Sequence, residues 1–201
     1  MVNKMTKLVK LIMLLLFIGF SNNTYADTTP WQESYRLEKL YQYDAALSSL
    51  KNISSNNEFV LLRRGWLNYL KGSHSESINN YQKSLSKNGK SLDARLGIIL
   101  PLLAQQRWRE ASLNANKALK VAPWNYYAHI RLMAAEQALK QWKQLQKHAK
   151  IAHQHFPSDS TFIVYLARAN LKLGNKDEAQ AWYKKLLELA PDNFEAIEYL
   201  N

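Results

Sequence analysis

The residues of this 201-residue chain that could do chemistry are its five histidines, a lysine–glycine loop, and acids near the starts of helical stretches. A metal site needs ligands that converge within a few ångströms. The densest group is His148, His153 and His155. On a helix, His148 and His155 share a face but stand two turns, roughly 10 Å, apart. His153 and His155 point to different sides, and no HEXXH pattern is present. The three read as a solvated helix surface, with no metal. The segment KNGKS (87–91) ends like a phosphate-binding loop, which also requires a glycine five residues earlier, a strand before and a helix after. Position 84 is Ser84, and a helical pattern precedes. Glu110 and Glu178, in REA and DEA segments, read as first-turn acids favoured by the helix dipole. The chain has no cysteine, which excludes disulfides, thiolate metal sites and a cysteine nucleophile. With no acid–base pair, nucleophile or metal set, the sequence reads as a non-enzyme without a cofactor. Asn52-Ile53-Ser54 fits an N-glycosylation acceptor, which matters only in a eukaryotic secretory pathway.

The elements that would position any site are set by a repeat. Pro191, Pro157, Pro123 and Gly89 stand 34 residues apart, each just after a helical pattern. Proline cannot continue a helix, and glycine tolerates a left-handed cap. Other phases agree. His74, Trp108, Trp142 and Lys176 recur at one register, Ser77, Ala111, Leu145 and Ala179 at another, and Tyr81, Ala115, Ala149 and Tyr183 at a third. Gly72 and Gly174 mark the turn between two helices, where Gln106 and Lys140 stand in the middle units. Ala179, Trp182, Tyr183, Leu186 and Leu187 keep the i, i+3, i+4 rhythm of an amphipathic helix. No comparable strand alternation is present.

The stretches RRGWLNYLKGSHSESINNYQKSL (63–85), RWREASLNANKALKVAP (107–123) and LKLGNKDEAQAWYKKLLELAP (171–191) resemble the tetratricopeptide repeat family. The phased units are 58–91, 92–125, 126–159 and 160–193. A partial unit over 31–56, with Tyr43 and Ala46 as its turn aromatic and small residue, is three residues out of phase. The resemblance implies an all-α fold: a right-handed α-solenoid of antiparallel helix pairs, about four full repeats plus a partial N-terminal one, with a concave groove. Ile99 and Met133 depart from the motif, which prefers Gly or Ala there; Gly65 and Ala167 obey it. Pro101 falls inside a first helix, where its ring presses on the carbonyl of Gly97. A kink near Gly97–Pro101 is predicted, with the middle units packing less regularly than the outer two. A short cap over 192–201 leaves the last face partly exposed, which points to an end-on contact or a homodimer.

In this family, ligand-facing side chains occupy the second, sixth and ninth positions of each unit. These are Phe59, Arg63 and Trp66, then Asp93, Gly97 and Leu100, then Tyr127, Arg131 and Ala134, then Thr161, Tyr165 and Arg168. The family's Lys/Asn clamp for a terminal carboxylate is not reproduced. What remains is a groove with Arg63, Arg131 and Arg168 interleaved with Phe59, Trp66, Tyr127 and Tyr165. Arginine and aromatics carry much of the energy at interfaces, and arginine grips carboxylates bidentately. The implied function is an exported scaffold or adaptor that binds a protein or acidic peptide segment, in the assembly or regulation of a cell-envelope complex.

Residues 1–26 read as a signal peptide: Lys4, Lys7 and Lys10, then the apolar run Leu11–Phe20, then Thr24-Tyr25-Ala26 at the cleavage site. Ten apolar residues are too few to span a bilayer. A bacterial periplasm is the compartment this implies, rather than a retained membrane anchor, and the lack of cysteine excludes a lipoprotein. The remaining chain, 27–201, forms one domain. The net charge is +11, and +8 without the three signal lysines. Such a surface favours acidic partners. Nucleic acid is excluded by compartment, and an anionic polysaccharide or lipid contacted by an envelope accessory is the alternative to a protein partner.

Overall fold

The computed structural model describes residues 28–54 and 57–201; the segment 1–26, expected above to be a signal peptide, lies outside them. The described residues form eleven helices and no strand. They are α1 (Pro30–Lys39), α2 (Tyr43–Ser49), α3 (Glu58–Leu70), α4 (His74–Lys87), α5 (Leu92–Ala104) and α6 (Trp108–Val121), then α7 (Tyr126–Ala138), α8 (Trp142–His155), α9 (Ser160–Leu173), α10 (Lys176–Leu189) and α11 (Phe194–Leu200). The helix pairs α3–α4, α5–α6, α7–α8 and α9–α10 coincide with the four sequence units. The pair α1–α2 matches the partial one but begins one residue before it, at Pro30.

A polar side chain opens each first helix. Asn57, Ser91, Asn125, Asp159 and Asn193, one every 34 residues, each accept a backbone N–H from the helix they precede. A cap of this kind contributes about 1 kcal/mol. The second helices lack a side-chain cap. They leave a tight turn at the same phase, where Gly72 and Gly174 have φ of 85° and 83°. Gln106 and Lys140 take the same left-handed backbone in the middle units, at φ of 57° and 56°. Side chains rarely adopt it, so the turn geometry is held by the packed helices on either side.

Packing follows side-chain size. In the first unit Ser77 Oγ donates to the Gly65 carbonyl at 2.7 Å, which lets α3 and α4 approach closely. In the fourth, Ala167 and Ala179 hold the same two positions and are fully buried. In the third, both are large, Met133 and Leu145, again fully buried. There α7 and α8 come together over a shorter stretch than the other full pairs. The expected irregularity of the middle units is therefore found in the third. Its cause is side-chain volume, because α5 runs through Pro101 as one helix and its unit stays closely paired. Gly97 has a packing task. A Cβ on Gly65 would stand 2.8 Å from the Tyr81 ring, and one on Gly97 closer still. The two glycines make the slot that the ring fills.

First helices also touch along the stack, α3 with α5, α5 with α7, and α7 with α9, whereas second helices make no comparable contact with one another. The first helices therefore line the tighter, concave side. At the end, α11 leaves Phe194 75% exposed and Ile197 38% exposed, so the last face is only partly covered.

Candidate functional site

The concave side is built by the helices that carry the sequence-derived groove residues. At its N-terminal end lies a hollow of about 800 Å3, lined by Trp31, Tyr35, Phe59, Leu62 and Trp66, with Glu38, Arg63 and Asp93. Phe59 and Tyr35 stand at it 68% and 53% exposed. Arg63 does not face open solvent. It is buried and reaches back to α1, where Nε meets Ser34 Oγ at 3.1 Å and Nη2 meets the Ser34 carbonyl at 2.9 Å. It forms an ion pair with Glu38, and its guanidinium lies 3.8 Å from the centre of the Tyr35 ring. Trp66 Nε1 donates to the other Glu38 oxygen at 2.8 Å. Arg63 and Trp66 thus tie α3 to α1, while Phe59 stays exposed and Tyr35 is covered by Arg63 on one ring face only.

Arg168 is engaged in the same way at the other end. Its Nε donates to Glu195 at 2.9 Å and its Nη1 to Gln137 at 3.3 Å, joining α9 to α11 and α7. Tyr183 donates to the same carboxylate at 2.7 Å. Burial pushes the Glu195 carboxyl up, but the bonds from Arg168 and Tyr183 outweigh it and leave the group below its ordinary value. The Glu195 hydrogen bond raises Arg168 above an ordinary arginine. A second hollow of about 770 Å3 is lined here by Gln137, Trp142, Arg168, Tyr183, Glu195 and Tyr199. Tyr165 is partly buried and its hydroxyl is pushed up by burial.

Arg131 differs from both. Its Nη1 donates to the Leu96 carbonyl at 2.7 Å, next to the Gly97 carbonyl that Pro101 leaves without its helical donor. Its guanidinium lies 5.5 Å from the centre of the Tyr127 ring, which is 59% exposed. Among the described residues it pairs with no carboxylate. Burial lowers its pKa, with Tyr69, Tyr81 and Tyr127 opposing. Of the three groove arginines it alone keeps an uncompensated charge. The structure therefore places the groove residues on the first helices but consumes two of the three arginines. Of the remaining positions, Asp93 lines the first hollow, Gly97 lies under Tyr81, and Leu100, Ala134 and Thr161 are partly buried.

The sequence reading missed Trp31, Tyr35 and Glu38, because the first pair is out of phase and its groove positions were not carried over. The signal was a glutamate one helix pair before a buried arginine.

The histidines are not a solvated surface. His148 Nδ1 lies 2.6 Å from Glu136, a carboxylate almost wholly buried between α7 and α8. His153 is buried, edge-on to Trp182 and 3.3 Å from Lys185 Nζ. Only His155 is exposed, stacked 4.0 Å from Trp124. In the KNGKS segment, Ser91 caps α5 and Asn88 Oδ1 accepts from Lys90 N–H at 3.1 Å, so the loop is a helix-to-helix turn. Glu110 pairs with Arg107 at 2.7 Å on the surface, and Glu178 lies in the first turn of α10.

Residues 161–193 match the family model described as Tetratricopeptide repeat. No curated protein matches the sequence. Among solved structures, a MamA crystal structure aligns with a TM-score of 0.74 at 16% identity, covering 81% of this chain and 96% of that one. MamA from Desulfovibrio magneticus RS-1 aligns with a TM-score of 0.73 at 18% identity, covering 80% and 93%. A thermophilic tetratricopeptide-repeat protein of Thermus thermophilus aligns with a TM-score of 0.59 at 21% identity, covering 85% and 95%. At these identities the likeness is one of fold.

Proposed function

We propose that this chain, whose residues 161–193 match a tetratricopeptide-repeat model and whose fold is that of solved tetratricopeptide-repeat proteins, is a scaffold whose concave groove holds an extended segment of a partner protein. The observation that carries the reading is the pairing of an aromatic hollow with one unneutralised arginine. Tyr35 and Phe59 offer exposed rings for an apolar or aromatic side chain of the partner. Arg131, beside the exposed Tyr127, offers a charge for a single carboxylate. Recognition by three arginines together is set aside, because Arg63 and Arg168 already hold Glu38 and Glu195. A partner carboxylate would have to displace those bonds, at several kcal/mol for the buried Arg63 pair and less for the Arg168 pair, which is about a third exposed on both sides. The preferred segment is therefore apolar with an isolated acid, not a run of acids.

The test is affinity capture from the cell's own envelope with the wild-type chain, Phe59→Ala and Arg131→Gln. One dominant protein held by the wild type and lost from both variants supports the groove. Equal capture by all three overturns it.

Export to a periplasm, and service to an envelope complex there, are inferred from the basic, apolar and small-residue order of residues 1–26. The mass of the protein recovered from cells tests this. A chain beginning at Asp27 supports export with cleavage; one beginning at Met1 counts against it.

A further inference from the structure

The charge that the groove arginines do not present is found on the second helices. Lys83 and Lys87 on α4, Lys117 and Lys120 on α6, and Lys147 and Lys150 on α8 are all exposed or partly exposed. None of the six makes an ion pair with a described residue. Acids are scarce beside them. Glu76 and Glu110 lie in first turns, away from these lysines, Glu110 is held by Arg107, and α8 has no acidic residue.

Helical geometry turns five of the six lysines away from the buried stripe of their helix, with Lys87, three residues after the buried Ser84, at the flank of α4. The buried stripe of α6 is Ala111, Ala115 and Ala118. A residue two positions from a buried one is turned about 200° away from it. Leu113 and Lys117 stand so, and the same offset from Ala149 and Ala152 applies to Lys147 and Lys150 on α8. This face points away from the first helices and outward on the convex side.

Aliphatic side chains lie between the lysines. Leu113 is 54% exposed, Val121 46% and Ile151 36%. Leu113, Lys117 and Val121 follow one another at i+4, as do Lys147 and Ile151. A soluble polyanion would use the lysines and gain nothing from the aliphatics. A bilayer surface uses both, since lysines meet anionic headgroups and aliphatics enter the headgroup–acyl boundary.

We propose that the outer faces of α4, α6 and α8 form a docking surface for an anionic lipid membrane. The surface is separate from the groove and does not depend on the groove having a partner. It would hold the chain against a leaflet with the concave side turned away and accessible.

The test is co-flotation of the full chain with vesicles of phosphatidylcholine alone or mixed with phosphatidylglycerol. Two variants are compared with the wild type, each checked for an unchanged circular dichroism spectrum. The first carries Lys117→Gln, Lys120→Gln, Lys147→Gln and Lys150→Gln. The second carries Leu113→Ser and Ile151→Ser. The apolar N-terminal run is common to all three chains, so it cancels in the comparison. The expected result is about tenfold stronger retention on the anionic vesicles, lost in the lysine variant and in high salt, as screening requires. The aliphatic variant is expected to lose vesicle binding yet keep its retention on a soluble acidic polysaccharide. Equal vesicle binding by the wild type and the lysine variant overturns the proposal. Retention on the polysaccharide with no vesicle binding also overturns it, in favour of a glycan.

Discussion

The ring of Tyr81 occupies the space where a side chain on Gly97 would stand, with Gly65 on the neighbouring first helix completing the slot. Three helices, α3, α4 and α5, are held in register by one aromatic and two missing side chains. Gly97→Ala would force the ring aside in a packed core, and overpacking of this kind costs about 1–3 kcal/mol. Urea denaturation of the variant is expected to show that loss. A midpoint equal to wild type would mean that the slot is loose.

The turns give the opposite sign. Gln106 and Lys140 hold a backbone shape that glycine takes without strain, at the phase of Gly72 and Gly174. A left-handed residue other than glycine costs about 1–2 kcal/mol. Glycine gives back about 0.4–1 kcal/mol through its freer unfolded chain. Gln106→Gly and Lys140→Gly are each expected to stabilise by about 0.5–1 kcal/mol, measured by chemical denaturation. A destabilised variant would show that these side chains do more than tolerate the turn.

The repeat was legible because it rests on residues with one dominant physical use. Prolines that stop helices and small residues that let helices meet recur every 34 positions, and the pair boundaries follow from them. The five polar N-caps at the same period were equally visible but unremarked, since Asn, Ser and Asp vary from unit to unit. The fates of Arg63, Arg168 and His148 were not legible. Each is decided by a single carboxylate, Glu38, Glu195 or Glu136, that the fold brings near. Spacing shows which face a side chain is on, not whether its charge is already met.

Arg63 is therefore expected to matter for folding and Arg131 for binding. Arg63→Gln leaves the Glu38 carboxylate without its cation at a mostly buried site. The expected loss is about 3 kcal/mol, the lower end of the range for a broken buried pair. Arg131→Gln removes a charge that neutralises no acid, and should shift the thermal midpoint little. A comparable drop in both would place Arg131 among the structural arginines.

The third unit should respond to pH. His129 is buried, and its Nε2 donates to the Pro123 carbonyl at 2.9 Å, which leaves Nδ1 as a buried lone pair with no partner. Burial holds its pKa below the ordinary histidine value of 6.5, as it does for His153. With folded values below the unfolded one, the stabilising effect is present above pH 6.5 and is lost as pH falls through the folded values. Denaturation midpoints are expected to fall as pH drops below about 6.5, and to fall less in a His129→Gln, His153→Gln chain. An identical pH profile for the two chains would remove these histidines from the account.

The most direct test of the groove as the working face is photo-cross-linking in the native cell, with the reactive residue placed at Phe59 in one chain and at Leu113 in another. Phe59 lies at the concave hollow and Leu113 on the convex face. A discrete protein adduct at Phe59, absent at Leu113, is expected if the groove is the working face. Protein adducts at Leu113 with none at Phe59 would contradict it and make the outer face the site of partner binding.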